Sequence, residues 1–206
     1  MDTNLIILTL ASVLADSSPL VFAVIGETLG EKSGVTNLSL DGSILLAAMV
    51  GFAIAFTSDN LYLGFLAAML AGAVVAALVA FSSIVLKLDQ IAVGFVLTIL
   101  CTDLSTFFGN PFVRKPGPAV PHLGIPFLAD IPVIGKLFFD QNVVVYLSFV
   151  LIAAAWWWIY KTQPGLKLQG IGERPAAAFA RGTNVNLQRF IYTIMGGSLV
   201  GFAGAS

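Results

Sequence analysis

VVVYLSFVLIAAAWWWIY, residues 143–160, holds eighteen consecutive residues without one Asp, Glu, Lys or Arg. As a helix it covers about 27 Å, close to the roughly 30 Å hydrocarbon core of a bilayer. The rest of the chain has the same character. Its 206 residues are 58% hydrophobic and only 10% charged, with a mean hydropathy of +0.94. A soluble domain carries roughly 25% charged residues, so this chain has too little charge to cover a water-facing surface. Lipid is its solvent.

Backbone amides in lipid must be satisfied within the segment or by a closed barrel. Nothing here alternates with period two, which excludes barrel strands and leaves helices. The pattern predicts an all-α, polytopic transmembrane helix bundle in a single domain over 1–206. Six spans are expected, near 4–26, 39–57, 61–86, 88–109, 143–162 and 187–206. Pro19, in Asp16-Ser17-Ser18-Pro19, is expected to kink the first. Met1-Asp2-Thr3-Asn4 lacks the basic residues of a secretory leader, so that segment reads as a retained span.

Orientation follows the basic residues. Placing Lys32, Lys87, Lys161, Lys167, Arg174, Arg181 and Arg189 on the cytoplasmic side leaves Arg114, Lys115 and Lys136 outside, seven against three. The N-terminus is then external. The segment 110–142 becomes an external loop, in which six prolines forbid a long helix, with a short interfacial turn at IPVIGKLFF. The segment 163–187 becomes a cytoplasmic loop.

Several chemistries are excluded. No basic stripe suits nucleic acid, and there is no nucleotide-binding loop or nucleophile–base arrangement. Neither a metal site nor another cofactor is expected. Cys101 is the single cysteine, and His122 has no second ligand near it. Gly197 and Gly201 form GxxxG, a packing signal. Asp103 lies within the fourth span and reads in two ways: a residue near the outer mouth bonded to Thr102 or Thr106, or a proton relay.

Two stretches carry function. In GETLGEKSGVTNLSLDGSILLAAM, 26–49, glycines flank Asn37, Ser39 and Asp41 just before an apolar run. Non-helical backbone at membrane depth is tolerated only against protein or a water-filled cavity, and transport proteins use such breaks to hold polar solutes. Asn37, Ser39 and Asp41 are therefore expected to line a polar pathway, with Thr98 of the fourth span beside them. A cytoplasmic turn with Ser39 or Asp41 as a helix cap is the simpler alternative. In PGLKLQGIGERPAAAFARGTNVN, 164–186, Pro175 suits a helix start and Gly182 a helix end, while Arg181 complements the C-terminal dipole. A two-turn helix within 173–182 is expected, its alanines exposed in the cytoplasm.

This second stretch resembles the cytoplasmic coupling segment of bacterial ABC importer permeases of the branched-chain amino acid, ribose and nucleoside class. Their pattern is near P-x-G-x-x-x-R-A-x-G-x-x-P-x-A-A-x-x-x-G. Pro164, Gly165, Gly172, Pro175, Ala177, Ala178 and Gly182 match it, and Leu168-Gln169-Gly170 departs from it. GEKSGVTNLSLDG is similar to the nucleoside-type subgroup's E-R-x-G-v-x-N-L-x-L-E-G, with Lys32 for Arg and Asp41 for Glu. IPVIGKLFFDQNVVVY fits that subgroup's external loop. Relatives often carry Asn where Thr98 stands, four residues after Gly94.

The resemblance implies a permease subunit for nucleosides or a related sugar-bearing solute in the bacterial plasma membrane. ATP would be hydrolysed by separate cytoplasmic ATPase subunits, docked on Gly172, Glu173, Arg174, Pro175, Ala177, Ala178, Arg181 and Gly182. A second permease subunit and an extracytoplasmic solute-binding protein complete the expected assembly. Because relatives continue through further spans, an N-terminal portion of a longer permease is expected. Branched-chain amino acids or simple sugars are alternative solutes. A proton-coupled carrier using Asp41 and Asp103, or a membrane scaffold, is the alternative class.

Overall fold

The computed structural model describes residues 3–117, 120–124 and 135–206. Eight α-helices occur among them: α1 (Thr3–Ser33), α2 (Leu40–Ser58), α3 (Leu61–Ala80), α4 (Gln90–Gly109), α5 (Val143–Lys161), α6 (Gln163–Glu173), α7 (Pro175–Ala180) and α8 (Val185–Ala205). The fold is the expected all-α bundle. Five helices, α1 to α5, are long and apolar enough to cross a membrane.

The sixth expected span is α8, and it differs in kind. Gln188, Arg189, Tyr192 and Thr193 lower its hydropathy, yet it packs on α1, α2 and α3 at the centre of the bundle. Small residues allow that approach. A Cβ on Gly72 would strike the Gly197 carbonyl, and one on Gly204 would lie 2.5 Å from the Ile44 carbonyl. Close backbone contact is what drives helix association where lipid offers no hydrophobic gain. α8 runs antiparallel to α1, with Tyr192 clustered with Leu29 and Ala203 with Phe22.

α1 continues through Pro19 to Ser33, seven residues beyond its expected end. Proline cannot donate to the carbonyl four residues back. The Ser18 hydroxyl donates to that carbonyl, Ala15 O, at 2.8 Å, and Ser17 serves Leu14 O. The break is repaired by its own neighbours.

Asn60, Asp89, Asn142 and Asn184 cap α3, α4, α5 and α8 with side-chain oxygens. Between α4 and α5 the described part of the connecting segment forms two short antiparallel strands, β1 (His122–Gly124) and β2 (Asp140–Asn142), which the sequence did not signal. His122 Nε2 and Asp140 Oδ1 lie 2.7 Å apart across them. Of the expected interfacial turn, 131–134 lies outside the described residues, and Gly135–Phe139 forms one π-helical turn.

Candidate functional site

Gly34 ends α1 with φ +88°, a left-handed conformation that glycine adopts without penalty. The chain then reverses. Gly34 N donates to Glu31 O, Val35 N to Gly30 O, and Asn37 N to Glu27 Oε1 at 3.0 Å. These acceptors step backwards along α1, so residues 34–39 climb back into the bundle. On the other side Thr36 N donates to Gln90 Oε1, and Thr98 Oγ1 donates to Leu38 O at 3.0 Å. Thr98 stands eight residues into α4, about 12 Å from its start. α2 therefore begins well inside the bundle, after a re-entrant turn.

Asn37 and Ser39 hold that turn from within. They are 4% and 0% exposed. Asn37 Oδ1 accepts from Ser39 N at 3.0 Å and from Ser39 Oγ at 2.6 Å, and Ser43 Oγ donates to Ser39 O. The structure thus places these two in the packed interior, whereas Asp41 is exposed in the first turn of α2. Thr98 is half-buried and comes to the turn as expected. Two glycines make the contact possible: a Cβ on Gly42 would sit 2.6 Å from Thr98 O, and one on Gly94 2.7 Å from Leu38 Cβ.

Glu27, which accepts from the turn, is not among the residues expected from the sequence. Its signal is an acid in the inner part of an apolar helix, where a carboxylate needs a partner. Asp103 is exposed on α4. The hydroxyls of Thr102 and Thr106 donate to Thr98 O and Thr102 O of their own helix, not to Asp103.

The second group lies at the opposite end of the turn. Residues 163–187 are not the expected loop, because α6 precedes the short α7. Thr162 caps α6, and its apolar face buries Leu168 and Ile171. Pro175 opens α7, and Gly182 (φ +82°) ends it; Gly182 N donates to Phe179 O. At six residues α7 is shorter than the expected two turns. Ala177, Glu173, Arg174, Arg181 and Gly182 are exposed, and Ala178 and Gly172 are half-buried. A concavity of about 690 Å³ opens among Lys167, Glu173, Arg174, Ala177 and Arg181.

α6 is joined directly to the re-entrant turn. A Cβ on Gly172 would strike the Lys32 carbonyl. Arg189 of α8 donates through Nε to Ser33 O at 2.9 Å and through Nη2 to Ile171 O at 3.5 Å. One guanidinium thus links the last residues of α1 and α6. In the sequence this arginine signals only topology, because nothing near it in the chain marks its two acceptors.

No solved structure matches the chain significantly. Among curated proteins, it is 33% identical over 190 residues to the putative glucose ABC transporter permease protein TsgC13 of Haloferax volcanii, covering 90% of this chain. It is 31% identical to the nucleoside ABC transporter permease protein NupC of Lactococcus lactis, covering 98%, and to the guanosine ABC transporter permease protein NupQ of Bacillus subtilis, covering 93%. The matches span 58%, 67% and 64% of those relatives' own lengths. A family model described as branched-chain amino acid transport system, permease component, matches residues 9–206. With its spanning helices, re-entrant turn and short helix pair α6–α7, the chain belongs to this permease family and is a multi-pass integral protein of the plasma membrane.

Proposed function

We propose that this chain forms part of the translocation pathway of an ATP-driven importer of nucleosides or related sugar-bearing solutes. The observation that carries the reading is the re-entrant turn joined to the short helix pair α6–α7. A broken helix at membrane depth offers a polar solute backbone and side-chain partners that an unbroken span cannot. Asp41 and Thr98 border the pathway, and Asn37 and Ser39 fix the turn that presents them. The names of NupC, NupQ and TsgC13 favour a nucleoside or sugar over a branched-chain amino acid. Family membership favours ATP over a proton gradient as the energy source.

In this reading the chain itself hydrolyses nothing. Cytoplasmic ATPase subunits dock on 172–182, with Gly172, Pro175, Ala177, Ala178 and Gly182 allowing close approach. Glu173, Arg174 and Arg181 pair at the rim of the docking surface. Movement of α7 passes through α6 to Lys32 and Ser33, and so to the turn. A second permease subunit completes the assembly in the membrane, and a solute-binding protein delivers solute outside.

The test is Ala177→Trp in the full-length permease assembled with its ATPase. The exposed site tolerates the ring in the isolated chain, so insertion and folding should be normal. Uptake per ATP hydrolysed should fall at least about tenfold, because a bulky ring overfills a docking groove. Wild-type uptake with wild-type ATPase association would leave the docking role without support.

A further inference from the structure

An open cleft of about 970 Å³ lies along the outer half of α2 and α4, at the upper end of the roughly 300–1,000 Å³ usual for small-molecule sites. Asp103, Thr106 and Asn110 line one wall, Phe52 the other, and Phe112 and Lys115 the mouth. The segment after α4 folds back over α2 to make that mouth. Phe112 meets Phe52 edge-on with ring centroids 6.2 Å apart, and the Lys115 ammonium lies 5.5 Å from the Phe112 ring centre. The site is therefore a built one, with an aromatic rim held in place and a carboxylate below it.

Asp103 sets the chemistry. It lies six residues before the end of α4, about 9 Å inside the helix. A carboxylate at that depth is expensive in lipid and belongs on a cavity. The neighbouring hydroxyls of Thr102 and Thr106 are committed to α4 carbonyls, and Ser105 Oγ donates to Leu45 O. An ionised carboxylate accepts only, and its two oxygens suit two adjacent hydroxyl donors. Phenylalanine rings suit a flat aromatic face. The face of α2 below the cleft passes from Phe52 through Leu45 to Asp41, so the cleft leads towards the re-entrant turn.

We propose that this cleft is an outer solute subsite that takes a ribonucleoside, Asp103 accepting from the two adjacent ribose hydroxyls while Phe52 and Phe112 cover the base. The inference rests on the import function proposed above. A hexose shares the adjacent hydroxyls but lacks the aromatic face, and the test separates the two.

The full-length permease, assembled with its ATPase and binding protein in proteoliposomes, is assayed with uridine, 2′-deoxyuridine, guanosine and glucose. Asp103→Asn should lower uridine uptake about tenfold and 2′-deoxyuridine uptake far less, since the deoxy compound has already lost one of the two donors. ATPase association should stay unchanged. Binding is read separately with Thr106→Cys, the native Cys101 being buried. Uridine should slow its labelling by a small hydrophilic thiol reagent at least about threefold, with glucose having no effect. Protection by glucose rather than uridine overturns the nucleoside assignment. Equal effects of Asp103→Asn on uridine and 2′-deoxyuridine, or no effect with no protection, overturn the subsite alone. A wild-type complex that imports neither uridine, guanosine nor glucose overturns the import function and the subsite with it.

Discussion

Gly42 is the residue on which the packing of α2 against α4 closes. Any side chain there meets the Thr98 backbone, which cannot rotate away as a side-chain tip can. Gly42→Val must push α2 off α4 and break the Thr98 hydroxyl's bond to Leu38 O. Overpacking of this kind costs about 1–3 kcal/mol, and thermal unfolding of the purified complex should show it as a lowered midpoint with uptake lost. Thr98→Val is the control, keeping the shape while removing one hydroxyl, worth about 1 kcal/mol. If Gly42→Val melts at the wild-type temperature and transports normally, the closure of α2 on α4 has no functional weight. Much of this geometry is legible in the sequence: glycines bracketing Asn37 and Ser39 mark the break, and Thr98 is expected beside it. The interior placement of Asn37 and Ser39 is not legible. It depends on Glu27 and on where α4 passes, neither of which local spacing encodes.

Among the elements, α6 shows why the segment 163–187 is legible only in part. Gly165, Gly170 and Gly172 weaken a helix by roughly 1 kcal/mol each relative to alanine, so GLKLQGIG reads as loop. Tertiary contact overrides that preference. Gly165 nests against the carbonyls at the end of α5, and Gly172 against Lys32 of α1. Two of the three glycines that argue against helix, Gly165 and Gly172, are those that let α6 dock, while Gly170 faces open space. α7, by contrast, is visible in its Pro175 start and Gly182 end.

Arg189 then converts docking into linkage, because a guanidinium can donate to two carbonyls at once whereas an ammonium reaches them poorly. Arg189→Met keeps the length of the stem and removes both bonds. Uptake should fall about tenfold while ATP hydrolysis continues, and Arg189→Lys should fall between the two proteins. The ratio of solute transported to ATP hydrolysed in proteoliposomes reads this directly. An unchanged ratio in Arg189→Met means that movement of α6 reaches the turn by another route.

At the scale of the molecule, the exposed surface is of two kinds. α3 presents Leu63, Leu66, Leu70, Val74 and Leu78, an apolar face suited to lipid. α4 exposes Asp103 and α2 exposes Asp41, carboxylates that lipid would leave without partners. These two faces must meet different media. Composition establishes that the chain lives in a membrane, but not which side of each helix meets lipid. That division appears only once α8 is seen to occupy the centre and α4 is seen to pack chiefly on α2. A nitroxide placed by cysteine labelling at Leu70 should collide freely with oxygen, which concentrates in lipid, and little with a water-soluble paramagnetic chelate. At Thr106 the preference should reverse in the assembled permease, and chelate contact should fall when uridine is added. A lipid-like signal at Thr106 would show that the α2–α4 face is not a water-filled pathway, and the proposed route from the outer cleft to the re-entrant turn would fail with it.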